Sequence, residues 1–289
     1  AYIEGYEAAD PDRISVQSLL REQAAAGDGG WPRRPRAGYD ALVLQLAGGA
    51  QDAAHCNAAV HRLRWRPGEV VAECQDLQVR ARAAIIALPL SLLQQGRPSF
   101  DPPIAEKRAA LDQLVMGGAL RMTLRLREPV WRGWPDDAGN RMDNLGFLFG
   151  PNDESGHFPT WWASEGGGAA QITGWAAGRH AWALAGWPFE RQRQRALADL
   201  AARLRLAPER LERALIEAHS SDWQADPLAL GAYSYAAAGG ADAFGELARP
   251  LASTLFFAGE HTDATGRHAT VQGALGSGRR AAEEALASK

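Results

Sequence analysis

The residues best suited to chemistry lie near the end of the chain. Leu255 to Ala258 reads as a buried strand that ends at Gly259-Glu260, and after a loop of nine residues a helix opens near Thr270. A carboxylate at the carboxyl end of a strand sits where α/β sheets place their ligands, and it suits sugar-type hydroxyls. The first turn of a helix offers unpaired N–H groups and a partial positive charge. A planar ring that becomes an anion on reduction is stabilised against such an end. Gly273, Ala274, Gly276, Ser277 and Gly278 keep one helix surface flat, so a cofactor or a neighbouring backbone can approach closely. The plainer alternative is an ordinary strand-loop-helix whose glycines serve packing.

The elements that must position these residues follow from hydrophobic period. Ile14, Val16, Leu19 and Leu20 predict a short helix over 13–26, and Tyr39 to Leu46 predicts another turn or two of helix. Val60, Leu63 and Trp65 lead into a Pro67-Gly68 turn, and Val70 to Ala72 lead out of it, as strands. Val79, Ala81 and Ala83 alternate with arginines before Ala84 to Leu88, an apolar run of the kind buried on both sheet faces and stopped by Pro89. Ile104 to Val115 carries a helical period. Leu120, Met122, Leu124 and Leu126 alternate with Arg121, Thr123, Arg125 and Arg127, a half-buried strand. Residues 131–188 are rich in Trp, Gly and Pro, with short strands expected near 145–149, 158–163 and 171–176. Phe189 to Leu206 and Val271 to Ala287 are predicted helices; Leu215 to Trp223 and Leu255 to Ala258 are predicted strands. The class is therefore α/β in the mixed α+β sense.

With 289 residues, 46% of them hydrophobic and 22% charged, the chain can bury a sizeable core and is not expected to be disordered throughout. A net charge of −3 gives no electrostatic reason for nucleic acid as a partner. Arg33, Arg34 and Arg36 are interrupted by prolines and read as a solvated turn or a contact for an acidic partner. Lysine contributes only Lys107 and Lys289 to the 31 basic residues, a coding bias more than a functional demand. Cys56 and Cys74 stand alone, so neither a disulfide framework nor a structural zinc site is expected, and no metal. No apolar stretch reaches the roughly 18 residues that cross a bilayer. A soluble, cytoplasmic protein with no membrane partner is the expectation. The chain starts Ala1-Tyr2-Ile3 without Met, as if cut from something longer.

The stretch LFFAGEHTDATGRHATVQGALGSGRRAAEEAL, residues 255–286, resembles the C-terminal FAD-binding signature of the flavin monoamine and polyamine oxidases and of flavin-type histone lysine demethylases. WQADPLALGAYSYAAAG (223–239) resembles the segment that precedes that signature. GYDALVLQLAGGA (38–50), NAAVHRLRW (57–65) and AAIIALPLSLL (83–93) resemble middle segments of the FAD domain, and FDPPIAEKRAALDQLVMGGALRMTLRLREPVW (100–131) resembles the opening of the substrate domain. The collinear order covers roughly half the chain and is more specific than any one motif.

This resemblance implies an incomplete FAD-binding, Rossmann-like domain and a substrate domain with a mixed sheet flanked by helices. Residues 1–38 would be a helical segment of the substrate domain, 39–93 and 251–289 segments of the FAD domain, and 94–250 the substrate-binding domain. Glu260 would contact the ribityl or pyrophosphate region, with Gly259 also in the cofactor site, Thr270 and Val271 the flavin ring, and Ala58, Ala59 and Val60 the adenosine. Thr270 is also a catalytic-site candidate, standing where many relatives have a second aromatic, which would leave a more open cage that favours longer or secondary amines. Tyr233 matches the aromatic residue over the flavin face; from sequence alone it is equally a core tyrosine. The reaction implied is oxidative deamination of a small-molecule amine. Hydride passes from the α-carbon to flavin, the imine is hydrolysed, and O2 is reduced to hydrogen peroxide.

Three departures bear on that expectation. Relatives usually carry a lysine on the substrate-domain strand, where alignment on Trp131 puts Arg121; an arginine orients water but cannot be deprotonated. Arg121 is alternatively one of several arginines on a solvated strand face. The closing loop lacks cysteine, so the FAD should be non-covalent. The Gly-x-Gly-x-x-Gly strand-turn-helix is missing, and Gly27-Asp28-Gly29-Gly30 and Gly166-Gly167-Gly168 lack its flanking elements. A fragment, a cleavage product, or one subunit alongside a separate N-terminal FAD-binding chain would each account for this. An L-amino-acid oxidase, a flavin desaturase and a non-catalytic scaffold subunit stay open as other readings. His61, His261 and His268 read as surface or loop residues.

Overall fold

Alternation of Leu120, Met122, Leu124 and Leu126 with Arg121, Thr123 and Arg125 does produce a strand, Ala119–Leu126, whose even residues are all fully buried. In the computed structural model, which describes residues 2–26, 37–135, 139, 141–142, 145–150, 156–166 and 169–288, this strand is interior to a five-stranded sheet. Its neighbours are Ala169–Ala177 and Leu215–Asp222, and Thr160–Gly166 and Phe147–Phe149 extend the sheet beyond the first of these. Every pairing in it is antiparallel. The chain divides into two compact units. This sheet belongs to the first, made of Ala1–Ser15, Pro89–Leu92 and Gln113–Gly240.

One face of the sheet forms the core of that unit. Helix Phe189–Leu204 turns Ala196, Leu197, Leu200, Ala201 and Leu204 toward it, at the spacing of a single helical stripe. Helix Pro208–Ala214 adds Leu211. Trp131, Phe158 and Trp161 fill the same layer with no solvent exposure. Each such side chain contributes about 1.5–3 kcal/mol of burial. The long helix stops at Leu204 because Arg205 takes a left-handed conformation, with φ 48° and ψ 41°, and its N–H closes back on Ala201 and Ala202.

The second unit comprises Val16–Leu88, Leu93–Asp112 and Ala241–Lys289. It holds a four-stranded sheet built on the Arg62–Arg66 and Glu69–Glu73 hairpin, to which Ser99–Asp101 adds in parallel. It also holds a parallel pair, Ala84–Ile86 with Leu255–Phe257, against which helix Val271–Ala287 packs. Lys107 is buried here. Its ammonium donates to the carbonyls of Glu246, at 2.8 Å, and Arg249, and lies 4.8 Å from the centre of the Phe257 ring. Burial pushes its pKa down to about 8.

Several elements differ from the sequence expectation. Ile104 to Val115 is not one helix: a turn of 3-10 helix at Ala105–Lys107 leads into helix Arg108–Gln113, and Leu114–Met116 is a strand. Pairing with Ser234–Ala236, extended by the Gly117 N–H bonding the Tyr233 carbonyl at 2.7 Å, draws that backbone out of its helical period. The run from Val79 to Leu88 is broken. Gln78–Ala81 is an exposed antiparallel strand, and Ala84–Ile86 leaves Ile85 44% exposed. Among the described residues the parallel pair has no third strand, which explains that exposure. Helix Val16–Ala25 buries Ser18 and exposes Val16 and Leu20. Arg33, Arg34 and Arg36, the glycines at 27–30, and Gly167 and Gly168 lie outside the described residues.

Candidate active site

Strand Leu255–Phe257 ends at Gly259, whose φ of 122° and ψ of 161° favour glycine. A Cβ built there would come within 2.4 Å of the His261 ring, so the close turn needs a residue without one. Glu260 opens a single 3-10 turn, Glu260–Thr262. Its Oε2 accepts the N–H of Ala269 at 2.7 Å, which ties the strand end to the last residue before Thr270. Asp263 Oδ1 accepts three donors: the N–H and hydroxyl of Thr265, at 2.8 and 2.7 Å, and the N–H of Arg267 at 3.0 Å. The loop is thus closed on itself by two partly or fully buried carboxylates.

Thr270 is the N-cap of helix Val271–Ala287, its Oγ1 accepting the N–H of Gly273 at 3.0 Å. The N–H groups of Val271 and Gln272 find no acceptor among the described residues, and both side chains are exposed. Ser277 holds the helix to the turn by donating to the Ala274 carbonyl and accepting the N–H of Gly259 at 2.9 Å. Arg280 fixes the helix to the strand through the carbonyls of Phe257, at 2.7 Å, and Ala248, at 3.1 Å. The structure therefore brings Gly259, Glu260, Thr270 and Val271 together. Ala58, Ala59 and Val60 belong to the same unit but precede the first strand, which starts at Arg62; Ala59 and Val60 are exposed. No hydrogen bond among the described residues joins them to the loop.

His261 and His268 lie in the loop between strand and helix, one of the two expected places, but both are buried, which excludes the surface alternative. His268 Nε2 lies 2.5 Å from Glu22 and 3.3 Å from the Ser18 hydroxyl, and its ring stacks on Phe244 with centroids 3.9 Å apart. Burial holds the His261 pKa below its ordinary value against the opposing pull of Glu260. Its Nε2 has no hydrogen-bond partner among the described residues. Neither role was legible in the sequence, since the contacts come from residues about 250 positions away for His268 and from a glycine turn for His261.

In the first unit, Arg121 lies on the outer face of the antiparallel sheet, with its Nε donating to Thr123 Oγ1 at 3.2 Å. Its cross-strand partner is Trp175, whose indole N–H donates to the Gly5 carbonyl at 2.7 Å. Trp175 and Tyr233 pack on the same small cluster of Ala8, Ala119 and Ala177. The Tyr233 hydroxyl donates to the Tyr6 carbonyl at 2.6 Å, which fixes the ring. Arg121 and Tyr233, more than a hundred residues apart in sequence, thus share one end of one sheet face. Rings continue outward from there: Trp162 lies 6.2 Å from Trp175, Phe147 lies 6.2 Å from Trp162, and Phe149 stacks on Phe147 at 5.8 Å. The alternation in 145–149 and 158–163 carried this signal, but only cross-strand register aligns the rings.

A cofactor whose ring gains negative charge fits the helix mouth, where two N–H groups and a buried imidazole nitrogen lack partners among the described residues beside a glycine turn. Among the described residues no group of three His, Cys, Asp or Glu is placed to hold a metal ion. No helix of the described residues is long and apolar enough to cross a membrane.

Residues 1–286 match the family model described as flavin containing amine oxidoreductase. Polyamine oxidase 3 of Oryza sativa subsp. japonica is 29% identical over 285 residues, covering 98% of this chain and 54% of that protein. Lysine-specific histone demethylase 1 homolog 3 of Arabidopsis thaliana is 25% identical over 264 residues. The chain spans about half the length of the polyamine oxidases it matches. Wild-type putrescine oxidase bound to putrescine shares the fold with a TM-score of 0.70 at 22% identity, over 87% of this chain and 53% of that one. Cyclohexylamine oxidase from Brevibacterium oxydans does so with a TM-score of 0.70 at 18% identity, over 97% and 61%.

Proposed function

The chain belongs to the flavin containing amine oxidoreductase family, and on that premise we propose that it carries the substrate face and part of the cofactor seat of an FAD-dependent amine oxidase. The observation that supports this most is the Glu260 carboxylate bound to the Ala269 N–H, immediately before a capped helix whose next two N–H groups are open. When bound without a covalent link, the flavin supplies the hydride acceptor for the carbon beside the amine nitrogen, and O2 takes the electrons on as hydrogen peroxide.

The chain's own residues would then do three things. The helix mouth at Thr270 and Val271 stabilises negative charge on the ring it faces, and Gly259 and Glu260 receive the hydroxylated part of the cofactor. Tyr233, oriented by its bond to Tyr6, stands beside Trp175 and presents an aromatic surface to a neutral amine. Arg121 orients a water for imine hydrolysis through its guanidinium N–H groups. Ala58, Ala59 and Val60 are assigned to the adenosine end. Segments 39–93 and 251–289 are assigned to the cofactor, 94–250 with 1–38 to the substrate. The glycine-rich phosphate loop would come from polypeptide outside this sequence, in the same chain or a partner chain.

An amino-acid oxidase is a second reading, favoured by one observation: Arg121 has no carboxylate partner among the described residues. Comparing 2-phenylethylamine with phenylalanine separates the two. For the main reading, the full-length protein is purified, its visible spectrum recorded, and amines screened anaerobically for bleaching and aerobically for peroxide. A colourless protein, or a flavin that no amine bleaches, would overturn it.

A further inference from the structure

The outer face of the antiparallel sheet has a charge pattern that its aromatic row makes consequential. Register places Phe149, Thr160, Trp175, Arg121 and Ser221 in one row across the face, and Phe147, Trp162, Thr173, Thr123 and His219 in the next. Phe147 and Phe149 are 62% and 71% exposed, although each already touches another ring. An apolar strip left this open on a folded unit marks a binding surface.

The charges on that face are unbalanced. Its one described carboxylate, Glu217, is bonded to Arg125 at 3.0 Å and lies 3.7 Å from His219. Glu4 and Glu7, on the short helix beside Trp175, are buried at 2% and 6%, and Glu4 is paired with Arg179. Arg121 is thus a cation beside the aromatic row with no described anion to offset it.

We infer that this face selects amines whose body is alkyl or aryl and carries no second positive charge, so the chain discriminates against diamines and polyamines. The inference rests on the amine-oxidase reading and deepens it. The reacting nitrogen, in its neutral form, lies against an indole or tyrosine ring. A second nitrogen, protonated at pH 7, would come to lie on the Trp162–Phe147–Phe149 surface, where no described carboxylate faces it, while a hydrocarbon tail would gain that surface.

Binding of hexylamine and 1,6-diaminohexane to the full-length protein, followed by calorimetry at pH 7, tests this. Hexylamine should bind at least about tenfold more tightly. Phe147→Ser, at an exposed position, should weaken hexylamine several-fold with an unchanged near-ultraviolet circular dichroism spectrum. Phe149→Glu, which puts a carboxylate at the exposed end of the ring strip, should narrow or invert the preference. Equal or tighter binding of the diamine, no binding of either amine, or indifference to Phe147→Ser would overturn the inference. Peroxide release is scored separately. Discrimination in binding without oxidation would defeat the oxidase reading alone, and oxidation without discrimination would defeat this inference alone.

Discussion

In the loop from Glu260 to Thr270 the carboxylates bond to backbone N–H groups of the loop itself, whereas on the outer face of the sheet side chains meet one another, in ring contacts and in polar pairs such as Thr123 with Thr173 and Arg125 with Glu217. Asp263 alone accepts three hydrogen bonds, and His268 is held between Glu22, Ser18 and Phe244. The sheet face offers Arg121 to Thr123 and a row of rings 5.8–6.2 Å apart. A cofactor seat made of backbone N–H groups works only if the backbone cannot relax, so its stability is spent on internal bonds. A substrate face made of side chains on a rigid sheet can change residues without disturbing the strands beneath it.

That contrast is open to breaking, and the largest effect belongs to the loop. Asp263→Ala removes a buried acceptor of three hydrogen bonds, whose Thr265 and Arg267 donors lie on exposed residues, and should cost about 2 kcal/mol in urea unfolding. A loss under about 1 kcal/mol would show that the loop is less self-determined than its bonds suggest. Thr270→Ala removes the cap on Gly273 and should cost about 1 kcal/mol. Loss of the Trp175 indole bond to the Gly5 carbonyl in Trp175→Phe should cost a similar amount, about 1 kcal/mol, in the first unit.

Acid sensitivity extends the comparison to the two units, because each contains imidazoles that burial, whole or partial, holds neutral. Burial lowers the pKa of His261 in the second unit, and of His180 and His157 in the first. The unfolded chain takes up those protons near the ordinary value of about 6.5, before the folded protein does. Stability is therefore fully present above that value and falls as pH drops toward the lowered folded values. Urea midpoints between pH 8 and 5 should show the decline, and His261→Phe should flatten part of it. An unchanged slope would remove His261 from the account. The smallest effect should be Phe147→Ser, within about 0.5 kcal/mol, since the ring is 62% exposed; a larger loss would make the aromatic row structural.

The long periodic elements were legible from the residues. Helix Val271–Ala287 and strand Leu215–Asp222 lie within a residue of their expected bounds, although the helix buries the small residues Gly273, Ser277 and Ala281 and exposes Val271, Leu275 and Leu286, and the strand is only half-buried. The strand-turn-helix with Gly259, Glu260 and Thr270 was also legible, since cap, turn and strand end are local chemistry. Leu114–Met116 was not: its period is helical, and only the distant Ser234–Ala236 strand makes it extended.

The amino-acid sequence by itself determined the family, the capped helix mouth and the alternation that buries one sheet face, all of which depend on neighbours along the chain. Tertiary structure alone decided that Tyr233 joins Trp175 and Arg121, that His261 and His268 are buried, and that four rings align across three strands. Cross-strand register and burial are set by contacts between residues far apart in sequence, and no local pattern encodes which of those partners will meet.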